Sequence, residues 1–241
     1  FETARVPAPE STIDIHIFRE FSRQGIRPQY CTDAVFLRRV YLDVIGTLPT
    51  AQEARAFLED PSLNKRRALI DRLLERDELA AYWAMKWSDL LRVKAEFPVN
   101  LWPNAAQAYH RWIRASLRDN KRYDRFAREL LTSNGSNFRV GPVNFYRAVQ
   151  AKTPEGIASA VALTFMGART DFWPTNQLAE MAVFFSQISY KPTREWKEEV
   201  VFWSPEKELL DAAPTNGPAV PAKPRPRAAV LPDKTPVRLP P

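Results

Sequence analysis

Two histidines, His16 and His110, one cysteine, Cys31, and three methionines, Met85, Met166 and Met181, make up the soft ligating side chains of this 241-residue chain. A single cysteine excludes an internal disulfide framework, a Cys-based zinc site and covalent heme attachment through Cys-x-x-Cys-His. Heme held without thioether bonds would need His16 and His110 as axial ligands, or either one with a methionine. His110 lies in Tyr109-His110-Arg111-Trp112, a setting that suits a partly buried structural histidine better. Carboxylates such as Asp43, Asp71 and Glu129 are plentiful, but none stands at a telling spacing from a histidine. Arg39 and Asp43, four apart, read as an ordinary helical ion pair. There is no Gly-rich phosphate loop, no Gly-x-Ser-x-Gly elbow and no His-Glu-x-x-His. Cys31 precedes a predicted helix N-cap, which can lower a thiol pKa, but a buried or unreactive thiol is the better reading. No catalytic, cofactor-binding or metal-ligating residue is therefore assigned, and no cofactor is expected.

Cations carry the stronger signal. Lys and Arg number 35 against 28 Asp and Glu, a net charge of +7. Arg111, Arg114, Arg118, Lys121, Arg122, Arg125 and Arg128 recur at steps of mostly three or four, which aligns cations along helix faces, with Asp119, Asp124 and Glu129 between them. The plain reading is a solvated face with internal salt bridges. The functional reading is docking to an acidic protein surface or to anionic lipid headgroups, with Arg111, Arg114, Arg118 and Arg122 as partner-binding residues. Nucleic acid is the less favoured partner.

A second cationic region closes the chain. Residues 212–241 hold nine of the 21 prolines and the cations Lys223, Arg225, Arg227, Lys234 and Arg238. Prolines so dense forbid helix and disfavour sheet ladders, leaving an extended arm that needs an outside surface to order it. Val220, Arg225, Arg227, Val230, Leu231, Arg238 and Leu239 are its expected anchors on a partner. At the other end, Phe1–Glu10 opens without methionine, basic n-region or apolar stretch, as a processed export precursor or a trimmed chain would.

The elements that must position these groups are helices. Between residues 11 and 190 the apolar spacing is three to four rather than two, as at Ile13, Ile17 and Phe21, then Phe36, Val40 and Val44, then Leu69, Leu73 and Leu74. Ser11, Thr32 or Asp33, Thr50 with Glu53, and Asn64 read as starts; Gly25, Gly46 with Pro49, Pro61, and Asn134 with Gly135 read as stops. Further helices are predicted near 77–94, 104–118, 122–132, 154–167 and 175–188. No sheet larger than a hairpin is expected. No apolar stretch reaches the length a membrane-spanning helix needs. Tyr82, Trp83, Trp87, Tyr109 and Trp112 read as interhelical core rather than an aromatic ligand cage. The fold class is all-α, a compact multi-helix domain with an extended proline-rich C-terminal tail: segment 1–10, domain 11–190, connecting segment 191–211 and tail 212–241.

Four blocks then stand in a telling order: FLRRVYLDVIGTLPTAQEARAFLED at 36–60, IDRLLERDELAAYWAMKWSDLLR at 70–92, YHRWIRASLRDNKRYDRFARELLTSNGSNF at 109–138 and VNFYRA at 143–148. Together they resemble the planctomycete-type cytochrome-associated domain of unknown function, a family of exported bacterial proteins. The resemblance implies a Cys-x-x-Cys-His heme segment after a Leu-Gly or Met-Gly step. Here Phe165-Met166-Gly167 runs through Ala168 to Phe172 directly into Trp173, so about ten residues of that segment are missing. The expectation is a heme-less relative: a non-catalytic structural or bridging subunit on the periplasmic face of a membrane-associated assembly. An electron-transfer complex, respiratory or photosynthetic, is the implied setting, with other subunits, a cytochrome subunit among them, as partners. The alternative is an exported enzyme or redox protein of undefined substrate, or a basic binder of nucleic acid or lipid surfaces.

Overall fold

The structure is a computed structural model, which describes residues 8–95, 102–205, 207 and 229–237. These residues are mainly helical and divide into two compact units, Phe1–Trp83 and Ala84–Pro241.

The first unit carries α1 (Thr12–Arg23), α2 (Asp33–Ile45), α3 (Ala51–Glu59) and α4 (Lys65–Leu74), and the division falls inside α5 (Asp77–Leu90). Its core is Leu37, Val40, Tyr41 and Ile45 of α2 with Phe57, Leu69 and Leu73. Capping fixes where the helices begin. The Thr50 hydroxyl accepts from the Glu53 amide while the Glu53 carboxylate accepts from the Thr50 amide, a reciprocal box at α3. Asp33 at the start of α2 accepts from Lys65 and Arg66 at 2.8 and 2.7 Å, and Arg66 also donates to the Cys31 carbonyl at 2.7 Å. The N-termini of α2 and α4 are thereby pinned together. At the far end of α2, Trp83 Nε1 donates to the Val44 carbonyl at 3.1 Å, and Gly46 caps the helix in the left-handed region with φ of 71°.

The second unit contains α6 (Pro103–Arg118), α7 (Tyr123–Thr132), α8 (Asn144–Ala148), α9 (Pro154–Met166) and α10 (Thr175–Ala182). Helix α6 buries Ala105, Ala108, Tyr109, Ile113 and Ser116, the stripe that 3.6-residue periodicity puts on one face. Around it pack Phe126 and Leu130 of α7, Phe145 and Tyr146 of α8, and Ile157, Ala158 and Val161 of α9. Trp87 and Trp112 stand against Phe126, with ring centroids 5.1 and 4.8 Å away, so these two and buried Tyr109 join the core as read, whereas Trp83 is exposed.

Three expectations are corrected here. The helix predicted over 175–188 ends at Ala182, and residues 183–185 form a single 3-10 turn. The chain then enters a three-stranded antiparallel sheet: β1 (Gly135–Ser136), β2 (Ile188–Pro192) and β3 (Glu199–Trp203), with β3 central. This exceeds a hairpin and takes up much of the segment read as a connector over 191–211. The cause is a five-residue β-branched and aromatic run, EVVFW, whose Val201 enters the helical core. The tail departs as well. Its residues 229–237 form a ladder of β4 (Ala229–Val230) and β5 (Pro236–Val237) on their own chain, with Ala229 buried and the Pro232 carbonyl accepting from Gln177 Nε2 of α10 at 3.2 Å. Pro236 sits at a ladder end, where its missing N–H costs nothing.

Gly46 supplies a test of the first unit. A Cβ there would come within 2.2 Å of the Tyr82 ring and would force a non-glycine residue to positive φ. Gly46→Ala should therefore cost about 1 kcal/mol or more in a denaturant melt, above the range of a tolerated glycine replacement.

Candidate functional site: a cleft beside the arginine stripe and a buried asparagine clamp

The cationic stripe separates into two parts once α6 and α7 are folded. At its C-terminal end Arg118 meets Asp119 and Arg122 meets Asp124, each at 3.1 Å, on the surface. Lys121 and Arg125 converge on Glu129 at 2.5 and 3.0 Å, and Trp112 Nε1 donates to the same carboxylate at 3.2 Å. Burial pushes the Glu129 carboxyl up, but these donors outweigh it and hold it below its ordinary value. Arg122, expected to face a partner, pairs with Asp124 at the N-cap of α7 and stays exposed. Arg114 is exposed on α6. Arg111 differs: it pairs with no acid among the described residues, and it borders a cleft.

That cleft has a volume of about 380 Å³ and is lined by Ser88 and Val93 on one side and Ala106, Gln107, His110 and Arg111 of α6 on the other. The exit of α5 builds the first wall. Arg92 turns left-handed, with φ of 57°, and the Val93 amide folds back to the Ser88 carbonyl at 2.8 Å, a Schellman closure that sets Val93 beside Ser88. Gln107, His110 and Arg111, at steps of three and four, share one face of α6. Ser88 Oγ is buried without a hydrogen-bond partner. His110, expected to be partly buried, is exposed.

A second constellation organises the sheet. Asn144 Nδ2 donates to the carbonyls of Asn137 and Gly141 at 2.7 and 3.1 Å. The Asn137 side-chain oxygen accepts from the Glu199 amide at 3.0 Å, and the Asn137 amide donates to the Glu199 carbonyl at 3.1 Å. Both asparagines are fully buried. The clamp sets two glutamates. Glu199 takes Arg147 at 2.5 Å and Lys152 at 3.3 Å, and the Lys152 ammonium lies 4.5 Å from the centroid of the Tyr190 ring. Burial pushes the Lys152 ammonium pKa down, and burial pushes the Tyr190 phenol up to about 12. Glu198 accepts from the Ser136 and Thr193 hydroxyls, which hold its carboxyl below the ordinary value, the Ser136 bond first.

Other sequence-level candidates scatter. Val230 is half-buried in β4 of its own chain and Leu231 is 41% exposed beside it, while Val220, Arg225, Arg227, Arg238 and Leu239 lie outside the described residues. The connection between α9 and α10, residues 167–174, contains neither cysteine nor histidine, so it does not fit a covalently held heme. His16 is exposed on α1, and Met181 is buried in the core of the second unit. Among the described residues no group of three or more His, Cys, Asp or Glu is placed to hold a metal ion, and no helix is long and apolar enough to cross a membrane.

Asn144→Ala should destabilise the protein by about 2 kcal/mol or more in denaturant melts, because two buried carbonyls lose their donor. The carboxylates predict the acid limb. Folded values of Glu129 and Glu198 lie below the ordinary 4.5, so between the folded and unfolded values the unfolded chain binds more protons. Their contribution is fully present above about pH 4.5 and is lost as pH falls through the folded values. Glu198→Gln should lower Tm at pH 7, with the gap to the parent narrowing by pH 3.

No curated protein and no solved structure matches the chain. One family model does, over residues 12–189, and its description is PSCyt2, protein of unknown function (DUF1549). That match contains all four blocks quoted above, including the SNGSNF and VNFYRA segments that supply both clamp asparagines. The chain is therefore a member of the PSCyt2 family.

Proposed function

We propose that this chain is a non-catalytic, structural subunit of a larger membrane-associated assembly on the periplasmic face, with an electron-transfer complex, respiratory or photosynthetic, as its setting. The observation that carries the reading is α1. This helix is closed at both ends by its own residues: Ser11 and Asp14 form a capping box, and the Ile26 amide returns to the Phe21 carbonyl at 2.8 Å past left-handed Gly25. Yet none of its residues is buried, and neither hydrophobic core contains one. Ile13, Ile15 and Ile17 are 74%, 48% and 46% exposed. A helix of 12 residues is marginal in water on propensity alone, whereas fully covering one isoleucine side chain is worth about 1.5–3 kcal/mol.

A protein face suits this helix better than a lipid surface. Lipid-binding amphipathic helices present a cationic polar side. Here Arg19 and Arg23 share that side with Glu20, which takes both Arg23 and Gln24, and Asp14 lies on the apolar side. The folded-back residues 229–237 change the part given to the tail. Ala229 is buried on its own unit, so residues 229–237 are held by their own chain, and α1 is the docking element of this proposal. The ion pairs of Asp33, Glu53, Glu129 and Glu199 likewise brace elements of the chain itself, in keeping with a scaffold.

Replacing Ile13 and Ile17 together by Glu should leave the Tm of the isolated chain within about 2 °C, because exposed positions contribute little to the folded monomer. The same variant should lose stoichiometric co-purification with its assembly from mildly solubilised membranes. Normal assembly by the variant would overturn the proposal, as would binding of the free parent chain to anionic vesicles that the substitution abolishes.

A further inference from the structure

We infer that the cleft between the end of α5 and the face of α6 is a binding site for a small phosphate monoester with a compact apolar body. This does not depend on the docking role proposed for α1. The contrast within the stripe is the starting point. Arg118, Lys121, Arg122 and Arg125 are satisfied by acids of the same chain, whereas Arg111 and Arg128 make no side-chain hydrogen bond or ion pair with a described residue, and of these two only Arg111, with Gln107 and His110 beside it, lines a cleft. All three line one cavity of about 380 Å³, and the fourth polar group there, Ser88 Oγ, is buried and unpaired.

Buried hydroxyls in folded proteins find partners, and leaving one without costs free energy comparable to a lost hydrogen bond. An acceptor in the cleft would satisfy Ser88 and meet the amide, imidazole and guanidinium donors of α6. Four donors exceed what the two oxygens of a planar carboxylate use well, but they match the three terminal oxygens of a phosphate ester, with Arg111 able to take two of them in fork geometry. The remaining wall is Val93 and Ala106, which gives an organic body apolar contact. The volume exceeds that of an inorganic phosphate and suits a single ring attached to it.

Titration of the full-length protein by calorimetry in a phosphate-free buffer, with phenyl phosphate, benzoate and benzyl alcohol as probes, tests this. Phenyl phosphate should bind saturably at one site per chain and about tenfold or more tighter than either of the others. Arg111→Gln should weaken it about tenfold, and Ser88→Ala about three- to fivefold, while Arg122→Gln leaves it unchanged. Phenyl phosphate binding no tighter than benzoate or benzyl alcohol would overturn the inference. Equal weakening by Arg111→Gln and Arg122→Gln would overturn it too, because diffuse attraction to a basic surface would then suffice.

Discussion

The amide of Asn144 holds the carbonyls of Asn137 and Gly141 in a fully buried position, and the Asn137 side chain in turn receives the Glu199 amide from the central strand. These bonds tie a loop, a short helix and a sheet that otherwise have few reasons to meet. A β1 of two residues would not persist alone; it is placed because Asn137 fixes the chain directly after it. Once β3 is held, Val201 enters the helical core, and Glu199 reaches Arg147 and Lys152. In a dry interior such bonds are worth more than at the surface.

Charge in this protein sorts by depth and by neighbour. At Glu129 the cations Lys121 and Arg125 close on one carboxylate of the same chain. Where α6 runs beside the end of α5, that supply of acids stops at Arg111, and an unpaired hydroxyl lies in the same cleft. Helix α1 is the apolar counterpart: its ends are satisfied by its own residues, but its face has no core to enter. A chain can thus be internally complete in one part and dependent on its surroundings in another.

Much of this was legible in the sequence. The helix starts at Ser11 and Thr50, and the stops at Gly25 and Gly46, follow from capping chemistry that acts over four or five residues, while Asn64 precedes α4 without a side-chain cap bond. The sheet was not legible, because β3 is five residues long and its partners lie 11 and about 65 residues away. Pattern reading over a short window cannot distinguish such a strand from a connector. The clamp was visible only as asparagines in the SNGSNF and VNFYRA blocks, whose partners are backbone groups with no sequence signature. Pairing of Arg122 with Asp124 was within reach of spacing alone; the isolation of Arg111 depended on where α5 ends.

The central claim is that α1 is an interface element, formed but uncovered in the free chain and covered in an assembly. Hydrogen–deuterium exchange of residues 13–23, compared between the isolated chain and the chain within its native assembly, reads this directly. The account predicts fast exchange in the isolated chain and protection increased at least tenfold in the assembly, with the amides around Asn144 protected in both. Equal exchange of α1 in the two states, or full protection already in the isolated chain, would contradict it.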